Sequence, residues 1–251
     1  MEAGSVDAII TDLPYGTTAC SWDEIISFEP MWECVKRVLK PRGVFVTTAR
    51  QPFTSKLIMS NLEWFKYELI WDKIGGVDFA QANRKPITVH ENIEVFGLKN
   101  TTYNRIDDKG HSPYSDRRTT KASSTLGANG LTKRIPFENK TTRTPTTIKS
   151  IFPDNRYGLG SGLHPTQKPV ALYEYLIRTY TNPGDTVLDF CMGSGTTMVS
   201  AIRTGRNGIG VESDPDYFAI AEKRIAEAQL QPALFQVDAP KPQAEQVELS
   251  L

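Results

Sequence analysis

The sequence predicts a doubly wound α/β fold on a mostly parallel sheet, and three observations point there. Short β-branched apolar runs alternate with stretches whose apolar residues recur at helical spacing. A glycine turn directly follows one of those runs and opens into a helical stretch. The 251 residues, 39% of them hydrophobic, suffice for one such domain with an inserted segment.

Taken in order, Val6 to Thr11 reads as a buried strand that ends in the loop Asp12-Leu13-Pro14-Tyr15-Gly16. Met31, Trp32, Val35, Val38 and Leu39 mark a helix, stopped by Pro41-Arg42-Gly43. Val44 to Thr48 is the next strand, and Leu57, Ile58 and Leu62 suggest a second helix. Tyr67 to Trp71 and Asn92 to Phe96 read as two further strands. The pattern fails from Lys99 to Ser161, a stretch rich in Thr, Ser, Asn, Gly and Arg. It resumes with an amphipathic helix over Val170 to Tyr180 and a strand over Thr186 to Phe190. A helix over Met198 to Thr204 and a strand over Gly208 to Val211 follow. Asp214-Pro215 then opens a last helix, with Asp as N-cap and Pro in the first turn. The expected organisation is two halves of one domain, 1–98 and 162–231, an insertion over 99–161 and a tail over 232–251.

Lys plus Arg and Asp plus Glu number 29 each, so net charge alone does not mark a nucleic-acid binder. The insertion is different. From Lys99 to Lys149, Lys99, Arg105, Lys109, Arg117, Arg118, Lys121, Lys133, Arg134, Lys140, Arg143 and Lys149 face only Asp107, Asp108, Asp116 and Glu138. It reads either as a solvated segment or as one that lies on a phosphate backbone. Cys20, Cys34 and Cys191 fit no disulfide framework, and His90, His111 and His164 are too scattered for a metal site. No apolar run spans a membrane and no signal peptide precedes Val6, so a cytoplasmic protein is expected.

Two motifs carry chemistry. Asp189-x-x-x-Gly193-x-Gly195 lies at a strand-to-helix turn, with Glu212 at the end of the next strand. Such a turn admits close backbone approach, and the acid can hold two ribose hydroxyls. A nicotinamide cofactor fits less well, because the turn lacks the third glycine of pyrophosphate binders. The other motif is Asp12-Leu13-Pro14-Tyr15. An amino group on an aromatic ring is a poor nucleophile, because its lone pair is delocalised. A carboxylate and a backbone carbonyl that both accept its hydrogens pull it towards a nucleophilic geometry. Asp12 offers the first acceptor, the carbonyl of Leu13, held extended before proline, the second, and Tyr15 a face for an extruded base.

These residues resemble the β class of amino-DNA methyltransferases. Asp12-Leu13-Pro14-Tyr15 is similar to that family's Asp-Pro-Pro-Tyr motif, and Asp189 to Thr197 to its cofactor loop. His164-Pro165-Thr166-Gln167-Lys168-Pro169 resembles the motif ahead of that strand. The resemblance covers Val6 to Gln229. It implies a seven-stranded methyltransferase sheet with circularly permuted motif order and S-adenosylmethionine as cofactor, without a metal. Asp12, Leu13, Pro14 and Tyr15 would grip a flipped base. His164, Thr166, Lys168, Asp189, Phe190, Gly193, Ser194, Gly195, Thr196 and Thr197 would hold the methionine part, and Glu212 the ribose. Arg105, Arg117, Arg118, Lys121, Lys133 and Arg134 would bind double-stranded DNA. Nothing in the sequence decides between a monomer and a homodimer.

Asp at the first motif position implies adenine N6 as the target, with cytosine N4 as the alternative. There are two departures from the family pattern. Leu13 stands where the family has proline. The family's upstream strand is either missing or replaced by Ala233 to Asp238. A DNA-binding homologue with weak or no catalysis therefore stays open, as does methylation of RNA.

Overall fold

The computed structural model describes residues 1–17, 23–77, 82–106, 147–149 and 167–230. Met1–Asn104 and Thr146–Leu251 form one compact unit, and Arg105–Pro145 form a second. The first unit carries β1 (Val6–Asp12), α1 (Phe28–Val38), β2 (Leu39–Ala49), α2 (Phe53–Ser60), β3 (Phe65–Val77) and β4 (Thr88–Phe96). β5 (Thr147–Lys149), α3 (Val170–Tyr180), β6 (Thr186–Asp189), α4 (Thr196–Arg203), β7 (Asn207–Gly210) and α5 (Pro215–Leu230) follow.

The seven strands form one sheet in the order β5-β3-β4-β2-β1-β6-β7. Only β4 runs antiparallel to its neighbours, β2 and β3; every other pair is parallel. The expected doubly wound, mostly parallel sheet is what forms. Its central strands are apolar on both faces because helices cover both. Ile10, Val46, Ile93 and Trp71 pack under α3 with Leu172, Tyr173 and Leu176. Ile9, Phe45 and Phe96 pack on the other face with Trp32 and Val35 of α1 and Leu57 of α2. Each such side chain, fully buried, contributes about 1.5–3 kcal/mol.

The elements differ from the sequence reading where local signals competed. Pro41-Arg42-Gly43 does not stop a helix; it lies inside β2. Between Val6 and Ala8 of β1 the register slips, so Lys40 to Gly43 are taken up in a bulge opposite Asp7. β4 pairs with β2 only from Phe45 onward, so Pro41 has no ladder partner to lose on that side. Leu62 is not part of α2, which ends at Ser60, and its side chain is exposed. β5 falls inside the segment read as irregular; three residues are too few to show a period. Asp214 does cap α5, accepting from the backbone N–H of Asp216 at 2.9 Å and of Tyr217 at 3.1 Å. Among the described residues no helix is long and apolar enough to cross a membrane.

Candidate active site

β1 lies between β2 and β6, and α1 and α4, which follow β1 and β6, lie on opposite faces of the sheet. That is a topological switch point, where the C-terminal strand ends open a crevice. Asp12 ends β1 and Asp189 ends β6. The hydroxyl of Thr11 donates to Asp189 Oδ1 at 2.7 Å, so the two motifs, far apart in sequence, meet at one point.

Asp12 is held from three sides. Its Oδ1 accepts from the Tyr15 hydroxyl at 2.8 Å and from the Thr48 hydroxyl of β2. Its Oδ2 accepts from the ammonium of Lys168. The Lys168 side chain is 10% exposed and that of Asp12 24%, so the carboxylate stays within reach of a substrate while its counter-ion is covered. The Lys168 ammonium also lies over the Tyr15 ring, 5.7 Å from its centroid. Burial and the adjoining Asp12 carboxylate push the Tyr15 phenol well above its ordinary range, which keeps it a neutral donor.

The loop after β1 is braced by residues the motif does not include. Asp23 accepts from the backbone N–H of Gly16 at 2.8 Å and of Thr17 at 2.9 Å. Gly16 needs its positive φ of 67° in this turn. The Tyr15 ring rests on Phe53 with centroids 5.3 Å apart. Leu13 is buried in the core shared with α1, and its N–H points to the Thr47 hydroxyl at 3.5 Å, a donor that proline would lack. Pro14 is half-buried.

The second motif is a turn fastened at both ends. Asp189 Oδ1 also accepts from the Cys191 N–H at 3.0 Å, and Oδ2 accepts from the Thr197 hydroxyl. Burial pushes the Asp189 carboxyl up to about 6, against the pull of those hydrogen bonds. Gly193 and Gly195 take positive φ values of 50° and 79°. A Cβ on Gly195 would stand 3.0 Å from the Ala221 Cβ of α5, so only glycine fits there. Glu212, just past β7, accepts from the Gly193 N–H through Oε2 at 2.8 Å. Its Oε1 accepts from the N–H groups of Ser213 and Asp214, each at 2.9 Å. Phe190 stacks on Phe45 at 6.5 Å. The Thr196 hydroxyl donates to the Lys168 carbonyl at 3.4 Å, which ties the turn to the segment that bears the Asp12 counter-ion.

Of the remaining sequence expectations, Arg105 is exposed. His164, Thr166, Arg117, Arg118, Lys121, Lys133, Arg134 and Ala233 to Asp238 lie outside the described residues. Among the described residues, no group of three or more His, Cys, Asp or Glu side chains is arranged to hold a metal.

A family model described as DNA methylase, of the N6/N4 type, matches residues 6–223. The chain belongs to this N6/N4 DNA methylase family. Its sequence is similar to the type II methyltransferase M2.DpnII of Streptococcus pneumoniae, 49% identical over 254 residues, covering 90% of this chain and 84% of that one. It is also similar to the DNA adenine methyltransferase YhdJ of Escherichia coli, 30% identical over 242 residues, covering 90% and 78%. The crystal structure of an M1.HpyAVI–SAM complex matches 88% of this chain and 89% of its own, with a TM-score of 0.59 and 26% identity. The cytosine-N4-specific PvuII DNA methyltransferase, at 19% identity and a TM-score of 0.60, covers 89% and 80% and shares the fold alone.

Several residues of this methylase's site escaped the sequence reading. Thr11 and Thr48 bind through their hydroxyls and Asp23 through both carboxylate oxygens, and none of the three belongs to a motif. Arg224 of α5 is another: its guanidinium donates to the Ser194 carbonyl, to the Ser194 hydroxyl at 2.9 Å and to the Thr196 hydroxyl at 3.3 Å. On the helix it reads as an ordinary surface arginine. Lys168 was readable only as part of the His164–Pro169 motif, and that motif did not point to Asp12.

Proposed function

We propose that this DNA methylase transfers the methyl group of S-adenosylmethionine to the exocyclic N6 of an adenine flipped out of double-stranded DNA. The observation that carries the proposal is the Thr11–Asp189 hydrogen bond, which sets the acceptor Asp12 beside the glycine turn. Asp at the first motif position favours adenine, and so does the likeness to a relative described as a DNA adenine methyltransferase.

The residues at the turn fit the cofactor. Gly193 and Gly195 leave the backbone bare of side chains, the N-terminus of α4 begins at Thr196, and the Glu212 carboxylate stands at the next strand end. When bound there, S-adenosylmethionine supplies an electrophilic methyl on a sulfonium. The protein's task is then positioning and proton handling. An Asp12 carboxylate oxygen accepts one hydrogen of the target amino group, and the Leu13 carbonyl accepts the other. The nitrogen lone pair is thereby released from the ring towards the methyl. Lys168 donates to Asp12 Oδ2 and so fixes the orientation of the carboxylate. Tyr15 offers its ring to the base while its hydroxyl holds Asp12 in place.

We assign target recognition to residues 99–161, with Arg105, Arg117, Arg118, Lys121, Lys133 and Arg134 on phosphates. Digestion of methylated product DNA to nucleosides tests the reading. N6-methyladenine is expected, and N4-methylcytosine as the sole product overturns it.

A further inference from the structure

Asp12 is one end of a line of alternating charges that the motif does not announce. Lys168 bonds to Asp12, Glu91 Oε2 lies 3.9 Å from the Lys168 ammonium, and Glu91 Oε1 pairs with Lys73. Strand register explains why four separate segments meet. Asp12 pairs with Thr48 and Thr48 with Ile93, so these three share one face of the sheet. Glu91 is two residues from Ile93 and keeps that face. Trp71 pairs with Glu91, and Lys73 is two residues further along β3. α3 covers the same face, and Lys168 stands just ahead of its first residue. Because β4 runs antiparallel, its early residues reach the edge where β1 and β2 end.

Stability does not account for this line. Buried ion pairs lose most of their Coulomb gain to desolvation, and apolar residues of equal volume hold a core as well. The Lys73 and Glu91 side chains are only 7% and 11% exposed, so both carry that cost. Their placement behind Lys168 explains them better. Asp12, Glu91 and the bond to Asp12 all raise the Lys168 ammonium above its ordinary value against the pull of burial. Among the described residues, Tyr15 of the β1 loop and Lys73 of β3 also lie near it, and Tyr173 of α3 lies near Asp12 and Glu91.

We infer that Glu91 is a positioning residue: from β4, with Lys73 as its own counter-ion, it holds the Lys168 ammonium charged and fixed against the Asp12 carboxylate. This deepens the proposed amino-methylation and rests on it for its kinetic consequence, whereas the coupling between Glu91 and Lys168 is a property of the protein alone. Without Glu91 the ammonium has one acid left to offset its burial, and its hold on Asp12 Oδ2 loosens.

The test compares the wild type with Glu91→Gln and with the double variant E91Q/K73M, which removes the ammonium that Glu91 neutralises and so guards against misfolding. An NMR titration of isotope-labelled lysine, done without cofactor or DNA, reads the Lys168 midpoint. It is expected to fall by about one pH unit or more in Glu91→Gln, equivalent to about tenfold in the protonation equilibrium, and by less in the double variant, which also loses the repulsion of the Lys73 ammonium. With tritiated S-adenosylmethionine and DNA, both KM values are expected to stay unchanged, and the alkaline limb of the kcat profile is expected to move down with the Lys168 midpoint, so that kcat falls about tenfold on the alkaline side of that midpoint. An unmoved Lys168 midpoint in the folded variants overturns the inference, and so does an alkaline limb of the kcat profile that stays where it is in wild type. A wild type that labels no DNA overturns the proposed function instead, and the lysine titration still decides the coupling.

Discussion

The Thr11 hydroxyl and the Asp189 carboxylate meet at 2.7 Å across neighbouring parallel strands, both almost fully buried. This one hydrogen bond fastens the strand that delivers Asp12 to the strand that delivers the glycine turn. Thr11→Val keeps the side-chain shape and removes the donor. A buried hydrogen bond to a charged group contributes about 1.5–3 kcal/mol, and the variant should lose about that much in urea unfolding. Cofactor affinity should fall with it, as read by calorimetry. Unchanged stability would show that the two strands are joined by the sheet alone.

The turn itself depends on Arg224. Its guanidinium holds the Ser194 carbonyl and hydroxyl from α5, where burial lowers its pKa. Arg224→Met retains the stem and removes the donors. Cofactor Kd should rise about tenfold, the equivalent of one hydrogen bond at the turn, with little change in melting temperature. The same Kd as wild type would show that the turn keeps its shape unaided.

The sheet also contains a pH-sensitive residue away from the site. Glu94 of β4 is fully buried, and neither of its carboxylate oxygens has a hydrogen-bond partner. Burial, with Glu68 adding, pushes its carboxyl from 4.5 to about 8. The folded state therefore holds this proton more tightly than the unfolded chain. The stability this group contributes is fully present below about pH 4.5 and is lost as the pH rises through about 8. Between pH 6 and pH 9 the wild type should lose melting temperature, and Glu94→Gln should flatten the loss. An equal slope in both proteins would place the titration elsewhere.

Much of this arrangement could be read from the chain and some could not. Val6 to Thr11 and Thr186 to Phe190 announce their strands by apolar β-branched runs, and each leads into a motif whose spacing states its chemistry. The helix over Val170 to Tyr180 and the Asp214 cap are legible for similar reasons, because period and capping are local. Pro41-Arg42-Gly43 misleads because a bulge opposite Asp7 absorbs the breaker signal. Glu91, Lys73 and Thr48 are invisible because what joins them is strand register, which depends on pairing between distant segments. Glu94 looks like an ordinary polar strand position until β2 and β3 close on either side of it.

The assignment of residues 99–161 to DNA rests on charge and predicts a salt effect. Replacing Arg117 and Arg118 with Gln should weaken binding similarly across sequences. It should also reduce the slope of log affinity against log salt by about 2, near 0.9 for each phosphate no longer neutralised. An unchanged slope would mean that neither arginine meets a phosphate.

The most direct test is methyl transfer by Asp12→Ala. Wild type and variant are each given tritiated S-adenosylmethionine and mixed-sequence DNA, with cofactor binding measured in parallel. Label is expected in the DNA from wild type and none in the DNA from the variant, with nearly equal cofactor affinity. Near-normal labelling by the variant would contradict the role given to Asp12.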